Sequence, residues 1–329
     1  MEKIAKTLTP AQRRELFEAT AHEQGRTPIV IEKDFWVCWI LKRLFSLSDL
    51  NSHIVFKGGT SLSKVFGLIE RFSEEIDLIL DWRLLGYRNE EPYAEQGSKT
   101  RQDRFNKEVI EKSREFLATT FMDRLTDHLG DCDGVSISMD AHEPDAIILG
   151  YPASFSTEYI RPQVKLEIGP MAAWVPSSWH EIEPYASEAF PEIFNDSKCK
   201  VLVIDAERTF WEKATILHQQ AHRTSGMPSR YSRHYYDVSR MSFSPTATKA
   251  LSNKSLLDDV VSFKKKFYPC AWANYEEARP GSFKLLPPEN LLKGLEKDYA
   301  KMREMIFGER PSFNEIVESL LALESRIND

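Results

Sequence analysis

A glycine pair set between two apolar runs constrains this chain more than any other feature. In "HIVFKGGTSLSKVFGLIERFSEEIDLIL" (residues 53–80) a short apolar segment ends abruptly on Gly58 and Gly59. Such a run closed by glycines predicts a buried strand and a sharp turn. "TSLSKVFGLIERF" then predicts a helix that opens on hydroxyl residues, and "EEIDLIL" a second strand. A strand, glycine turn, helix and strand packed into under thirty residues commit the N-terminal half to an α/β arrangement.

The second strand carries two acids in apolar company. Side chains at i and i+2 share a strand face, so Glu75, Asp77 and Ile79 point one way and Ile76, Leu78 and Leu80 the other. The two carboxylates stand about 7 Å apart along the strand. That spacing suits one hard divalent cation, or two ions held side by side. Upstream, Gly58 and Gly59 let the backbone approach a ligand closely. Thr60 and Ser61 open the helix, where free N–H groups favour a phosphate. Lys57 adjoins the turn and is the better placed of its two flanking lysines, Lys57 and Lys64, to touch phosphate. Phosphate cradle and acid pair together are what nucleotidyl transfer from an NTP requires. The plainer reading is a structural turn beside a salt-bridged, exposed strand. Two better-known phosphate motifs fail: Ser63, not glycine, precedes Lys64, and "GGTSLS" is not G-x-G-x-x-G.

The first forty-five or so residues read as helices, with Thr9 as a cap and Pro10 at the first helical position. Residues 99–130 are helical and charged. "DGVSISMD", "AIILGYPAS" and "PQVKLEIG" read as strands of a mixed sheet whose later members are antiparallel. The Pro- and Trp-rich stretch 174–196 reads as an irregular boundary. From about Asp205 the pattern is helical to the C-terminus. The expected class is α+β, with a sheet-bearing domain over residues 1–200 and a helical domain over 201–329 that completes the active-site cleft.

Composition narrows the function. The 329 residues carry a net charge of −7, which argues against non-specific coating of nucleic acid. No run approaches the apolar length of a membrane helix, and the start is too polar for a signal peptide, so a cytoplasmic protein with no membrane partner is expected. Four dispersed cysteines form no CxxC pair.

At this point "FKGGTSLSKVFGLIERFSEEIDL" resembles the first motif of the AbiEii-type nucleotidyltransferase toxins, a branch of the polymerase-β-like superfamily that includes the mycobacterial MenT-like toxins. "IEKDFWVCWIL", "RTFWEKATILH", "RYSRHYYDV" and the tail "KDYAKMREMIFGERPSFNEIVESLLALESRIN" extend the likeness along most of the chain in the same order. One departure is Glu75, where the family more often has aspartate.

The resemblance implies a polymerase-β-like mixed sheet and a Mg2+- (or Mn2+-) dependent toxin of a toxin–antitoxin or phage-defence system. It further implies transfer from an NTP to RNA, with the 3′ end of tRNA the expected acceptor, and a cognate antitoxin as partner. A nucleotide-binding regulator without transfer, or a small-molecule nucleotidyltransferase, are the alternatives. Asp77 and Glu75 would hold metal, and Gly58, Gly59, Thr60 and Ser61 the phosphates. Lys213 takes the place of the family's catalytic lysine. It lies in an apolar stripe with Phe210, Ala214, Leu217 and Ala221, where an anion is needed to offset its desolvation; a lysine snorkelling from the stripe's edge is the plainer account. Asp237 becomes an active-site carboxylate, orienting Lys213 or a nucleotide, although Arg233 four residues away is a simple helical partner. Arg233 is also a candidate for phosphate or RNA backbone. Glu167 is a candidate third carboxylate, or one half of a Lys165–Glu167 surface pair. Glu32 and Asp34 match a family motif without evident chemistry. His218 and His222 lack the glutamate of HExxH and read as satisfied helix histidines. "FKKKFYPCAWANY" interleaves lysines with aromatics, as an RNA-binding or a packing helix does.

Overall fold

The computed structural model describes every residue except 74, 88–96, 156–160 and 225, and the side chain of residue 304. The chain divides into two compact units. The first holds Met1–Val65 and Ser73–Val203; the second holds Phe66–Phe72 and Ile204–Asp329.

Three helices open the first unit: α1 (Glu2–Thr7), α2 (Pro10–Gln24) and α3 (Pro28–Phe45). Thr9 and Gln12 form a reciprocal capping box at the start of α2, as the Thr-Pro signal predicts, and Gly25 closes it in the left-handed region. α3 is the spine of this unit's core. Phe35, Trp36 and Trp39 are fully buried, with Trp36 stacked on Tyr151 at 5.3 Å and edge-on to Trp39 at 5.5 Å.

The strands are β1 (Ile54–Lys57), β2 (Glu75–Leu80), β3 (Ser136–Met139), β4 (Ala146–Gly150), β5 (Gln163–Gly169), β6 (Ser177–Ile182) and β7 (Cys199–Ile204). They form one mixed sheet in the order β3-β4-β5-β2-β1-β7-β6. β3, β4 and β5 pair antiparallel, as does β1 with β2, whereas β2–β5 and β1–β7 are parallel. Helix α4 (Gly58–Lys64) lies between β1 and β2. α5 (Lys99–Phe116) and α6 (Met122–Leu129) run between β2 and β3, and α7 (Tyr185–Ala189) between β6 and β7.

Two expectations are corrected. The stretch 174–196 is not merely an irregular boundary, because it supplies β6, and the following residues supply β7 beside β1. The helix after the glycine turn ends at Lys64, not near residue 72. Gly67 adopts φ +60°. From there the backbone runs extended and bonds to residues near the C-terminus: Phe72 N–H donates to Met305 O at 2.9 Å and Phe307 N–H to Glu70 O at 3.0 Å. Tertiary hydrogen bonds replaced the helical ladder that the local pattern favoured.

The second unit is helical. Its members are α8 (Ala206–Ala221), α9 (Ser232–Ser242), α10 (Pro245–Ser252), α11 (Lys254–Phe267), α12 (Glu289–Met302) and α13 (Phe313–Asn328). α8 packs against α9, α10 and α11, and α9 packs also against α12 and α13. The carboxylate of Asp298 on α12 accepts from the backbone N–H groups of Arg230 and Ser232, satisfying donors at the start of α9. An α+β chain with its sheet in the N-terminal part and helices after it is the class expected. Among the described residues no helix is long and apolar enough to cross a membrane.

Candidate active site

The glycine turn and the acid strand meet directly. β1 and β2 pair with Lys57 opposite Asp77, and β2 pairs with β5 so that Asp77 lies beside Glu167 and Glu75 beside Lys165. Lys57, Asp77 and Glu167 therefore form one row across three strands about 4.8 Å apart. Glu75 and Lys165 lie one step along on the same face. Ile76, Leu78 and Leu80 point to the opposite face and are buried. Ile79 shares the acids' face but is itself fully buried, so the open part of that face ends at Asp77.

Gly58 has φ +82°. A Cβ placed on it would fall 1.9 Å from Asp77 Oδ2. The carboxylate thus occupies the space that any other residue at 58 would fill. Beyond it α4 begins, and its first N–H groups have no partner within the helix. The hydroxyls of this segment are turned inward. Thr60 Oγ1 donates to Glu75 O, and Ser61 Oγ donates to Gly58 O at 2.9 Å. Both side chains are buried. A phosphate contact from residues 58–61 thus falls to the backbone rather than to these hydroxyls.

Glu167 engages Lys165 Nζ at 2.8 Å, and Lys165 also reaches Glu143 at 2.5 Å. Burial works against the Lys165 charge, but the two carboxylates prevail and raise its pKa. The Lys165–Glu167 pair is present, and Glu167 adjoins Asp77 as well. Glu75, Asp77 and Glu167 are hard oxygen donors, yet among the described residues no group of three or more His, Cys, Asp or Glu side chains is gathered as a metal site.

Lys64 differs from Lys57. Its ammonium is buried, paired with Asp34 at 2.8 Å and seated 3.8 Å over the Tyr185 ring. Burial opposes its charge, but Asp34 more than compensates and raises the lysine's pKa. Asp34 also accepts from Tyr185 N–H at 2.7 Å. Glu32 accepts from the N–H groups of Ser154 and Phe155 at 2.6 and 3.3 Å. The "IEKDFW" acids thus tie α3 to the chain after β4 and to the start of α7.

The second unit contains a separate ion cluster. Asp237 is fully buried. Its Oδ1 accepts from Arg71 Nε at 2.7 Å, and its Oδ2 accepts from the second arm of the same guanidinium at 2.8 Å and from Lys213 Nζ at 2.8 Å. Burial alone would raise the Asp237 carboxyl, but Arg71 and Lys213 together hold it well below the usual carboxylate range. His234 is kept neutral, first by burial and then by the nearby Lys213 charge. Sequence reasoning brought Lys213 and Asp237 together but missed Arg71. The helical expectation for residues 60–72 gave no reason to join it to Asp237. Arg71 and Lys213 hold Asp237, and Arg233 lies half-buried one turn earlier on α9.

His218 is completely buried and bridges two backbone groups. Its Nδ1 accepts from Lys284 N–H at 3.0 Å, and Nε2 lies 3.3 Å from Asn274 O. Burial lowers its pKa to about 4. It is a satisfied core histidine, as the missing glutamate of HExxH suggested. α11 packs on α8 with Phe263 and Phe267 buried, and Lys264 caps the Glu212 carbonyl at 3.1 Å.

No curated protein sequence matches the chain. Among solved structures the chain is similar to MenT4, a nucleotidyltransferase toxin from Mycobacterium tuberculosis H37Rv, with 16% identity and a TM-score of 0.42 over 97% of this chain and 100% of that one. The family model "Nucleotidyl transferase AbiEii toxin, Type IV TA system" matches residues 39–319, which takes in the glycine turn, both acid strands and the Arg71–Asp237–Lys213 cluster. By that match the chain belongs to the AbiEii family of nucleotidyltransferase toxins.

Proposed function

We propose that the protein transfers a nucleotidyl group from an NTP to an RNA hydroxyl, with the 3′ end of tRNA as the acceptor, and that it requires Mg2+ or Mn2+. The observation that carries this reading is the seat of the Asp77 carboxylate over Gly58, at the mouth of the glycine turn. An acid and a set of backbone N–H donors then address one polyphosphate.

Two carboxylates on one strand face suit a hard divalent cation, which completes its shell from water and phosphate oxygens. When bound, such an ion offsets the negative charge that develops at the α-phosphate. Glu75 and Asp77 are the residues that would hold it. The N–H groups of Gly58, Gly59 and Thr60, with Ser61 in the same turn, receive phosphate oxygens, and Lys57 and Arg233 add positive charge. Lys213 neutralises the triphosphate. Both Asp237 oxygens already accept from cations, so the task of drawing the proton from the attacking hydroxyl falls to Glu167. The acceptor oxygen forms a bond to the α-phosphorus, and pyrophosphate leaves. A cognate antitoxin is the partner that the family implies.

The test is incubation of purified protein with each α-labelled NTP, Mg2+ and total RNA. Labelled RNA that vanishes with chelator is expected. Folded protein that labels no RNA with any nucleotide sinks the RNA reading. Label on a small molecule instead would reassign the acceptor.

A further inference from the structure

Arg71 is held at both ends. Its backbone neighbours bond to Met305 and Phe307, and its guanidinium closes a two-armed bond on Asp237 while also donating to Phe72 O at 3.2 Å. The residue is 5% exposed. It therefore offers almost no surface to a ligand, and acts on whatever Asp237 touches. That is Lys213, whose ammonium meets one Asp237 oxygen at 2.8 Å. Lysine is a long side chain with a compact charge and no preferred bonding plane, so it needs an external fix to hold one position. Arginine supplies a planar fork that fixes a carboxylate in orientation as well as distance.

We propose that Arg71 is a positioning residue for nucleotidyl transfer: through Asp237 it fixes the Lys213 ammonium where the triphosphate binds. The proposal rests on the role assigned to Lys213 above. Charge supports it. Arg71 and Lys213 share the Asp237 carboxylate in a largely dry cluster, so an anionic ligand that meets the Lys213 ammonium adds to the negative charge it faces there. Asp237, with both oxygens engaged, serves as the hinge between the arginine and the lysine and is not free to take a proton.

The test uses full-length protein as wild type, Arg71→Ala, Arg71→Lys, Lys213→Ala and the Arg71→Ala/Lys213→Ala double variant. Affinity for a fluorescent ribose-labelled NTP is measured without RNA, and transfer to RNA separately. A misplaced catalytic group costs on the order of 100-fold, so Arg71→Ala should slow transfer about 100-fold. In the Lys213→Ala background the same change should slow it no further, because both act through one ammonium. Arg71→Lys keeps the charge and loses the fork. It should restore most of the NTP affinity while kcat stays depressed, a split that a purely structural role would not produce. If Arg71→Ala fails to fold by circular dichroism, Arg71→Lys decides: a wild-type kcat overturns the proposal. Losses that multiply in the double variant also overturn it. If the wild type binds NTP but labels no RNA, only the RNA acceptor is lost, and non-additive NTP affinities still uphold the positioning role. Additive ones end it, and a wild type that binds no NTP removes both readings.

Discussion

The Asp77 carboxylate lies against the Cα of Gly58, in the space a Cβ would need: the ideal position falls 1.9 Å from Oδ2. Glycine at 58 is thus demanded twice, by its φ of +82° and by the acid one strand away.

Gly58→Ala should damage both stability and activity. The positive φ alone costs about 1–2 kcal/mol for a residue with a Cβ, and the displaced carboxylate adds to that. Urea unfolding should register the first effect. Transfer assayed well below the unfolding midpoint should fall further than the loss of folded protein accounts for.

Asp77→Asn changes charge with almost no change in shape. The variant should fold normally and lose transfer by about 100-fold or more, as expected when a group acting on the reacting phosphate is removed. Glu167→Gln should retain NTP affinity and lose rate. A Glu167→Gln enzyme with wild-type kcat would return Glu167 to a Lys165 partner only.

Removing the Asp237 carboxylate strands Arg71 and Lys213 side by side in the core. Breaking a buried ionic cluster in this way costs about 3–5 kcal/mol, so Asp237→Ala should unfold at much lower urea than wild type. The sign of the pH effect follows from the depressed carboxyl. Its stabilising contribution is complete above the unfolded aspartate pKa, near 3.9, and is lost as pH falls through the lower folded value.

His218 titrates from an ordinary value of 6.5 in the unfolded chain to about 4 in the folded one. The unfolded state binds the extra proton, so stability falls as pH drops from about 6.5 toward 4, by about 2 kcal/mol between pH 7 and pH 5. Urea midpoints across that range should show the slope in wild type and lose most of it in His218→Gln.

Lys64 and Lys57 flank the same turn and should part company experimentally. Asp34→Ala leaves the Lys64 charge buried without its partner and should cost about 3–5 kcal/mol, with the residual folded enzyme still binding NTP. Lys57→Ala should weaken NTP binding, which Asp34→Ala should leave intact in the molecules that fold.

Local chemistry wrote much of this protein into its sequence. The Thr9–Gln12 capping box, the apolar period of α3, the glycine break after β1 and the alternation that turns Glu75 and Asp77 to one face each depend on neighbours within a few residues. So does the placement of Lys213 in a buried stripe of α8, and the family motifs could be recognised in the same short windows. What the sequence left open depends on groups far apart in the chain. Arg71 and Asp237 are 166 residues apart, and nothing in either neighbourhood marks the other. The stretch that carries Arg71 looks helical until its backbone finds Met305 and Phe307. Lys64 resembles Lys57 until Asp34 and the Tyr185 ring enclose it. Strand β7 is a short apolar run whose place beside β1 only the assembled sheet assigns. Hydrophobic period and turn chemistry act over one turn or one strand, so they can be read from the chain. Pairing a buried charge is settled only when folding brings its counter-charge out of water beside it.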